Sequence, residues 1–183
     1  MQRYILALPR KRAALPPERA QQLAALTDVN TADLLGALGW QHVRRGRRLL
    51  RWLCRGPGQR FARQVIAYDD LVGSAGLHAG GAWAVQHFVE RLEVRCQQCV
   101  PASGPVLIVA NHPGLCDTMA LFAAIRRRDL RIIAADRPFL RALPHTSRHL
   151  LFVDETNTSR FSALRSVTRH LRGGGVALTF PGG

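Results

Sequence analysis

The sequence predicts an α/β fold, a largely parallel sheet flanked by helices, behind a helical and basic N-terminal region. Three observations carry this. Short β-branched runs alternate with helical segments from about residue 93 onward. The run VLIVA at residues 106–110 has the character of a buried strand. The first 60 residues lack such runs and are rich in arginine. We divide the chain into a basic helical region, 1–60, with a membrane-facing role as one reading, and an α/β domain, 61–183, expected to be incomplete at its C-terminus.

In chain order, residues 1–15 are basic and loose. Pro16-Pro17-Glu18 suits a helix start, because proline is tolerated in the first turn and an acid complements the helix dipole. Leu23 and Leu26 follow at helical spacing. Thr31 or Asp33 is expected to cap a second short helix carrying Leu34, Leu35 and Leu38. Residues 43–55, VRRGRRLLRWLCR, place Arg44, Arg48, Arg51 and Arg55 on one helical stripe. Leu49, Leu50 and Leu53 lie opposite, with Trp52 between. That pattern suits a helix in a lipid headgroup layer, or a surface helix packing its leucines on its own core. Gly56-Pro57-Gly58 is expected to end it.

Helices are expected over 61–72 and 81–92, separated by GSAGLHAGG. Residues 93–95 form a possible strand. Strands follow at 106–110, 131–135, 150–153 and 176–180, with helices over 117–125, near 138–143 and from a cap at Ser159 through 171. The last of these has Phe161, Leu164, Thr168 and Leu171 on one face.

Charge bounds the partners. Lys and Arg total 26 against 12 acidic residues, a net charge of +14, and Lys11 is the sole lysine. Such a chain fits an anionic membrane surface, a phosphorylated substrate or nucleic acid; a compositional preference for Arg, Ala and Gly also accounts for the excess. The four cysteines, Cys54, Cys96, Cys99 and Cys116, without a recognisable secretory signal, point to a reducing cytoplasm and free thiols. Unbroken apolar runs of about 18 residues are lacking, so a spanning helix is not expected.

The chemistry gathers behind residues 106–110. That strand runs into Asn111-His112-Pro113-Gly114-Leu115-Cys116-Asp117, and open α/β sheets hold ligands at the carboxyl ends of their strands. Pro113 and Gly114 keep a loop between His112 and the helix, so that Asp117 at the helix start can meet the imidazole. A carboxylate on one ring nitrogen fixes the tautomer and raises basicity, and the other nitrogen takes a proton from a hydroxyl. A loop histidine satisfied by a neighbouring cap is the plainer alternative.

This segment resembles the NHxxxxD motif of the glycerolipid acyltransferase family, which includes 1-acylglycerol-3-phosphate acyltransferases. Thr179-Phe180-Pro181-Gly182-Gly183, after a strand, resembles the family's FPEG motif. Leu151-Phe152-Val153-Asp154 and Asp136-Arg137-Pro138-Phe139 also resemble segments of such proteins, and the likeness covers residues 93–183. It implies a glycerol-3-phosphate acyltransferase-like fold and acyl transfer to a lipid hydroxyl, with acyl-CoA or acyl-carrier protein as co-substrate and no cofactor or metal. His112 would be the base and Asp117 its support. Asn111, Pro113, Gly114, Arg137, Phe180, Pro181, Gly182 and Gly183 would bind substrate. The implied partners are the acyl donor, a lipid acceptor and an anionic membrane surface rather than nucleic acid, with the protein peripheral on the inner face of the cell membrane.

The chain departs from the family at two places. Gly182 stands where Glu is usual. Glu155 falls where the second motif supplies an Arg for the acceptor phosphate, leaving Arg137, Arg148 or Arg160 as substitutes. The family pattern continues beyond Gly183, so a fragment with exposed apolar surface is expected. A catalytically impaired lipid-surface homologue is one alternative. Another is a zinc-bearing nucleic-acid module, since Cys96, Cys99, His112 and Cys116 have the spacing C-x2-C-x12-H-x3-C.

Overall fold

The computed structural model describes residues 15–111, 116–153 and 157–181. The expectations for residues 1–14 and for His112, Pro113, Gly114, Asp154, Glu155, Gly182 and Gly183 lie outside that range.

Helix α1, Pro17–Ala37, starts with proline in its first turn and Glu18 beside it. It does not break at Thr31. The Thr27 hydroxyl donates to the Leu23 carbonyl and that of Thr31 to the Thr27 carbonyl, both at 2.6 Å. Hydroxyls satisfied four residues back within the helix have no reason to leave it as caps.

Helix α2, Arg47–Ala75, begins later than expected, leaving Arg44 before the helix, and passes straight through Gly56-Pro57-Gly58. Pro57 removes the donor for the carbonyl four residues earlier. The glycines do not end the helix, because α1 packs against it here. A Cβ on Gly58 would stand 2.8 Å from Thr31 Oγ1, and Asn30 Nδ2 donates to the Gly58 carbonyl at 3.2 Å. Residue 60 therefore falls inside a continuous helix. Leu23 and Leu26 of α1 share a buried cluster with Ala62, Val65 and Leu143.

The glycine-rich stretch 73–81 is mostly helical too. Only Gly76, at φ +88°, separates α2 from α3, Leu77–Phe88. Gly81 lets α3 meet the helix α4, Asp117–Ala124: a Cβ there would lie 2.5 Å from the Ala123 nitrogen and 2.6 Å from Phe122 Cβ. We expect Gly81→Ala to cost about 1–3 kcal/mol through overpacking, measured by urea unfolding; unchanged stability would mean that α3 and α4 are not held at this spacing.

Residues 93–95 are not a strand and are exposed. They lead into a short 3-10 turn, Gln97–Cys99. Four strands follow, β1 Val106–Val109, β2 Leu130–Ala135, β3 Leu150–Val153 and β4 Val176–Thr179. Between them lie α4, α5 Pro138–Arg141, α6 Pro144–Ser147 and α7 Asn157–Arg172. The strands form one all-parallel sheet in the order β1-β4-β2-β3. Val176 pairs with both Val106 and Leu130, and Leu178 with both Ile108 and Ile132. This is the α/β parallel sheet, flanked by helices, that the sequence predicts.

One sheet face carries the main core. Ile108, Leu130, Ile132, Val176 and Leu178 pack with Phe122, Ile125, Val72 and Leu77. On the opposite face α7 contacts β3 and β4 through the buried Ala163 and Val167. One expectation, the burial of 106–110, fails here. Phe161 and Leu164 share a face of α7, but it is the outer one, 62% and 61% exposed, because the small residues seat the helix. The run 106–110 is buried on one side only: Leu107 and Val109 are 52% and 59% exposed, since the helix on that face, α7, packs over β3 and β4 rather than over the edge strand β1.

Two polar clamps fix the loops. Asp69 of α2 is fully buried and accepts from the Thr146 amide and hydroxyl, both at 2.7 Å, and from the His145 amide at 3.2 Å. The Arg127 guanidinium donates to the carbonyls of Gly104 at 2.6 Å and Gly174 at 2.7 Å and pairs with Asp129. It thereby joins the segments that enter β1, β2 and β4.

Candidate active site

The parallel sheet brings distant segments to one edge. The Ala110 amide, just past β1, donates to the Thr179 carbonyl at the end of β4, 3.1 Å away. The chain therefore leaves β1 toward Asn111 and leaves β4 toward Phe180 and Pro181 from adjacent positions, since neighbouring strands lie about 4.8 Å apart. Asn111 and Pro181 are exposed. Phe180 is half-buried and packs against the main core. Asp117 is the first residue of α4, half-buried, in the turn where a carboxylate complements the helix dipole. His112, Pro113 and Gly114, between Asn111 and that turn, lie outside the described residues, as do Gly182 and Gly183.

The third segment follows β2, on the other side of β4. Arg137 is the exposed N-cap residue of α5 and has no ion pair among the described residues. Its neighbour Asp136 is occupied: Arg141 binds it with two hydrogen bonds of 2.8 Å. That pairing holds the Asp136 carboxyl below the usual carboxylate range. The same guanidinium stacks 3.9 Å from the centre of the Phe152 ring. Arg141 escaped the sequence reading. Its only signal is a spacing of five from Asp136, which pairs the two only once α5 bends the chain back.

The two other candidate arginines separate. Arg148 precedes β3 and lies at the opposite, amino edge of the sheet. Arg160, exposed in α7, follows β3 and lies at the same edge as Asn111. The β3 exit, which leads to Arg160, is three strands from β1, about 14 Å at the usual strand spacing, against about 10 Å for the β2 exit that leads to Arg137.

The cysteines differ from expectation. Cys96 and Cys99 are joined in a disulfide, so neither offers a thiolate to zinc, and the expectation of free thiols holds only for Cys54 and Cys116. The 3-10 turn brings the two sulfurs into bonding range, which linear spacing did not reveal. Among the described residues no cluster of His, Cys, Asp and Glu could hold a metal ion, and no helix is long and apolar enough to cross a membrane.

The arginine-rich face expected near residue 50 is uncovered. Leu49, Trp52 and Leu53 are exposed, Trp52 by 70%, beside the exposed Arg47, Arg48 and Arg51. Leu49 and Leu53 are uncovered, while Leu50 is half-buried. Cys54, Gly58 and Ala62 face inward instead.

The fold is an α/β protein with an open parallel sheet, and the aspartate-headed helix, the proline-bearing strand exit and Arg137 follow its strands at the carboxyl edge, where sheets of this class hold ligands. The family model described as Acyltransferase matches residues 91–183, 93 of the 183, and the chain belongs to the acyltransferase family. No curated protein and no solved structure matches the chain significantly.

Proposed function

We propose that this acyltransferase moves a fatty acyl group from acyl-CoA or acyl-carrier protein to a hydroxyl of a (lyso)phospholipid or related glycerolipid precursor. The observation that carries the reading is the meeting of the two motif-bearing strand exits at one edge, joined by the bond from Ala110 to Thr179, with Asp117 heading the next helix.

In this mechanism His112 takes the proton of the acceptor hydroxyl, and Asp117 holds the ring and stabilises the imidazolium. The oxygen attacks the thioester carbonyl directly. The tetrahedral oxyanion collapses, the carbon–sulfur bond breaks, and the thiolate leaves with the proton from His112. Backbone amides of Asn111, Pro181's successors Gly182 and Gly183, and the loop at Gly114 line the acceptor or the developing charge, while Pro113 shapes the turn and Phe180 the apolar wall. Arg137, exposed beside an already paired Asp136, binds the acceptor phosphate, for which a guanidinium offers fork geometry.

The protein works as a peripheral protein on an anionic membrane surface at the inner face of the cell membrane. Support comes from the face of α2 where Leu49, Trp52 and Leu53 stand among Arg47, Arg48 and Arg51. Nucleic acid is not a partner in this reading. The test measures free thiol released from acyl-CoA or acyl-carrier protein on vesicles with and without anionic lipid. Release should depend on added lysophospholipid. Vesicle binding should weaken about tenfold between 0.1 and 0.5 M salt, with a blue shift of tryptophan emission on binding. Folded protein that binds vesicles yet transfers to no acceptor would favour the impaired homologue, a reading supported by Gly182 and Glu155 in place of the family's Glu and Arg.

A further inference from the structure

The Cys96–Cys99 disulfide has no part in the proposed acyl transfer. Both cysteines and every residue from Arg91 to Cys99 are exposed. Cys96 sits at φ +57°, the sole non-glycine residue with positive φ among those described, a region that side chains rarely adopt. Arg91 and Arg95, on the N-terminal side of the pair, are 86% exposed and both pair with Glu93, so among the described residues nothing folds over the turn from that side. The turn is fastened to the rest of the molecule by a few contacts. Gln97 Nε2 donates to the Ala124 carbonyl, the last residue of α4, at 2.9 Å. Val100 packs on the main core.

We propose that Cys96 and Cys99 form a reversible thiol–disulfide site, accessible to small disulfides and dithiols, whose closed form holds Gln97 against the end of α4. In the closing direction one cysteine thiolate attacks a sulfur of a small disulfide and expels one thiolate, leaving a mixed disulfide. The second cysteine attacks the protein-side sulfur of that bond. The ring closes, a second small thiol leaves, and two electrons pass to the oxidant. A dithiol reverses the sequence, and Cys96 then relaxes out of its left-handed conformation. Because α4 carries Asp117 at its other end, opening the turn loosens the helix from its far terminus. The inference stands whether or not the acyl-transfer reading does.

The full chain is equilibrated with dithiothreitol or oxidised glutathione, quenched in acid, alkylated and weighed. Four adducts are expected after reduction and two after oxidation, reversibly, with fragmentation assigning the lost pair to Cys96 and Cys99. Hydrogen exchange at Ile125, whose amide donates to Leu121, should quicken roughly 3- to 10-fold on reduction. Gln97→Ala should quicken it equally in the oxidised protein. Four adducts under oxidation, two under reduction, or mixed glutathione adducts without ring closure would each overturn the site. Unchanged exchange at Ile125 would overturn its link to α4.

Discussion

Replacing His112 with alanine should lower acyl transfer by about 10²- to 10⁴-fold, the range that a positioned general base contributes, while the unfolding midpoint stays within the error of the measurement. The Ala110–Thr179 bond holds the strand exit independently of the His112 side chain, and in the proposed mechanism truncating that side chain removes the base. Asp117→Asn should fall between the two rates, and it adds a readout that a merely structural aspartate would not move. A carboxylate beside an imidazole raises its pKa. The base must be neutral to act, so the acid limb of the pH–rate profile should shift to lower pH in Asp117→Asn. An alanine variant as active as the parent, or an acid limb that stays in place, would remove His112 and Asp117 from the mechanism.

Asp69→Ala should be the most destabilising substitution outside the site. Its carboxylate is fully buried and receives three donors from His145 and Thr146. Alanine strands the Thr146 amide and hydroxyl without acceptors, at a cost of about 3–5 kcal/mol. For a chain of this size that lowers the midpoint by roughly 10 °C. Asp69→Asn keeps one oxygen for Thr146 and turns an amide NH₂ toward the His145 N–H, so its loss should be intermediate. Calorimetry of the two variants checks the order. Equal stability of Asp69→Ala and the parent would mean that α6 does not depend on this clamp.

The strands and the early helix start were legible locally. Residues 106–110, 131–135, 150–153 and 176–180 read as strands because β-branched and apolar runs are short and bounded by turns, and Pro17 marked the head of α1 because proline suits that position. The helix breaks were misread for one physical reason. Gly56-Pro57-Gly58 and the glycines at 73–81 punctuate an isolated chain, but here Gly58 and Gly81 meet Thr31 and Phe122 at distances that no Cβ tolerates. Tertiary contact turned expected breakers into packing points.

The same division holds for the site. By itself the sequence determined a largely parallel α/β sheet, Asp117 at the start of the helix after the first strand, and Pro181 just past the last strand. Those follow from residue type and spacing, which act within a few residues. Only the tertiary structure decided that β4 inserts between β1 and β2, bringing Thr179 against Ala110. It alone placed Arg148 at the amino edge, away from Asn111 and Pro181, and gave Asp136 to Arg141. Strand order and cross-chain pairing depend on which faces bury together over distances that no local pattern encodes.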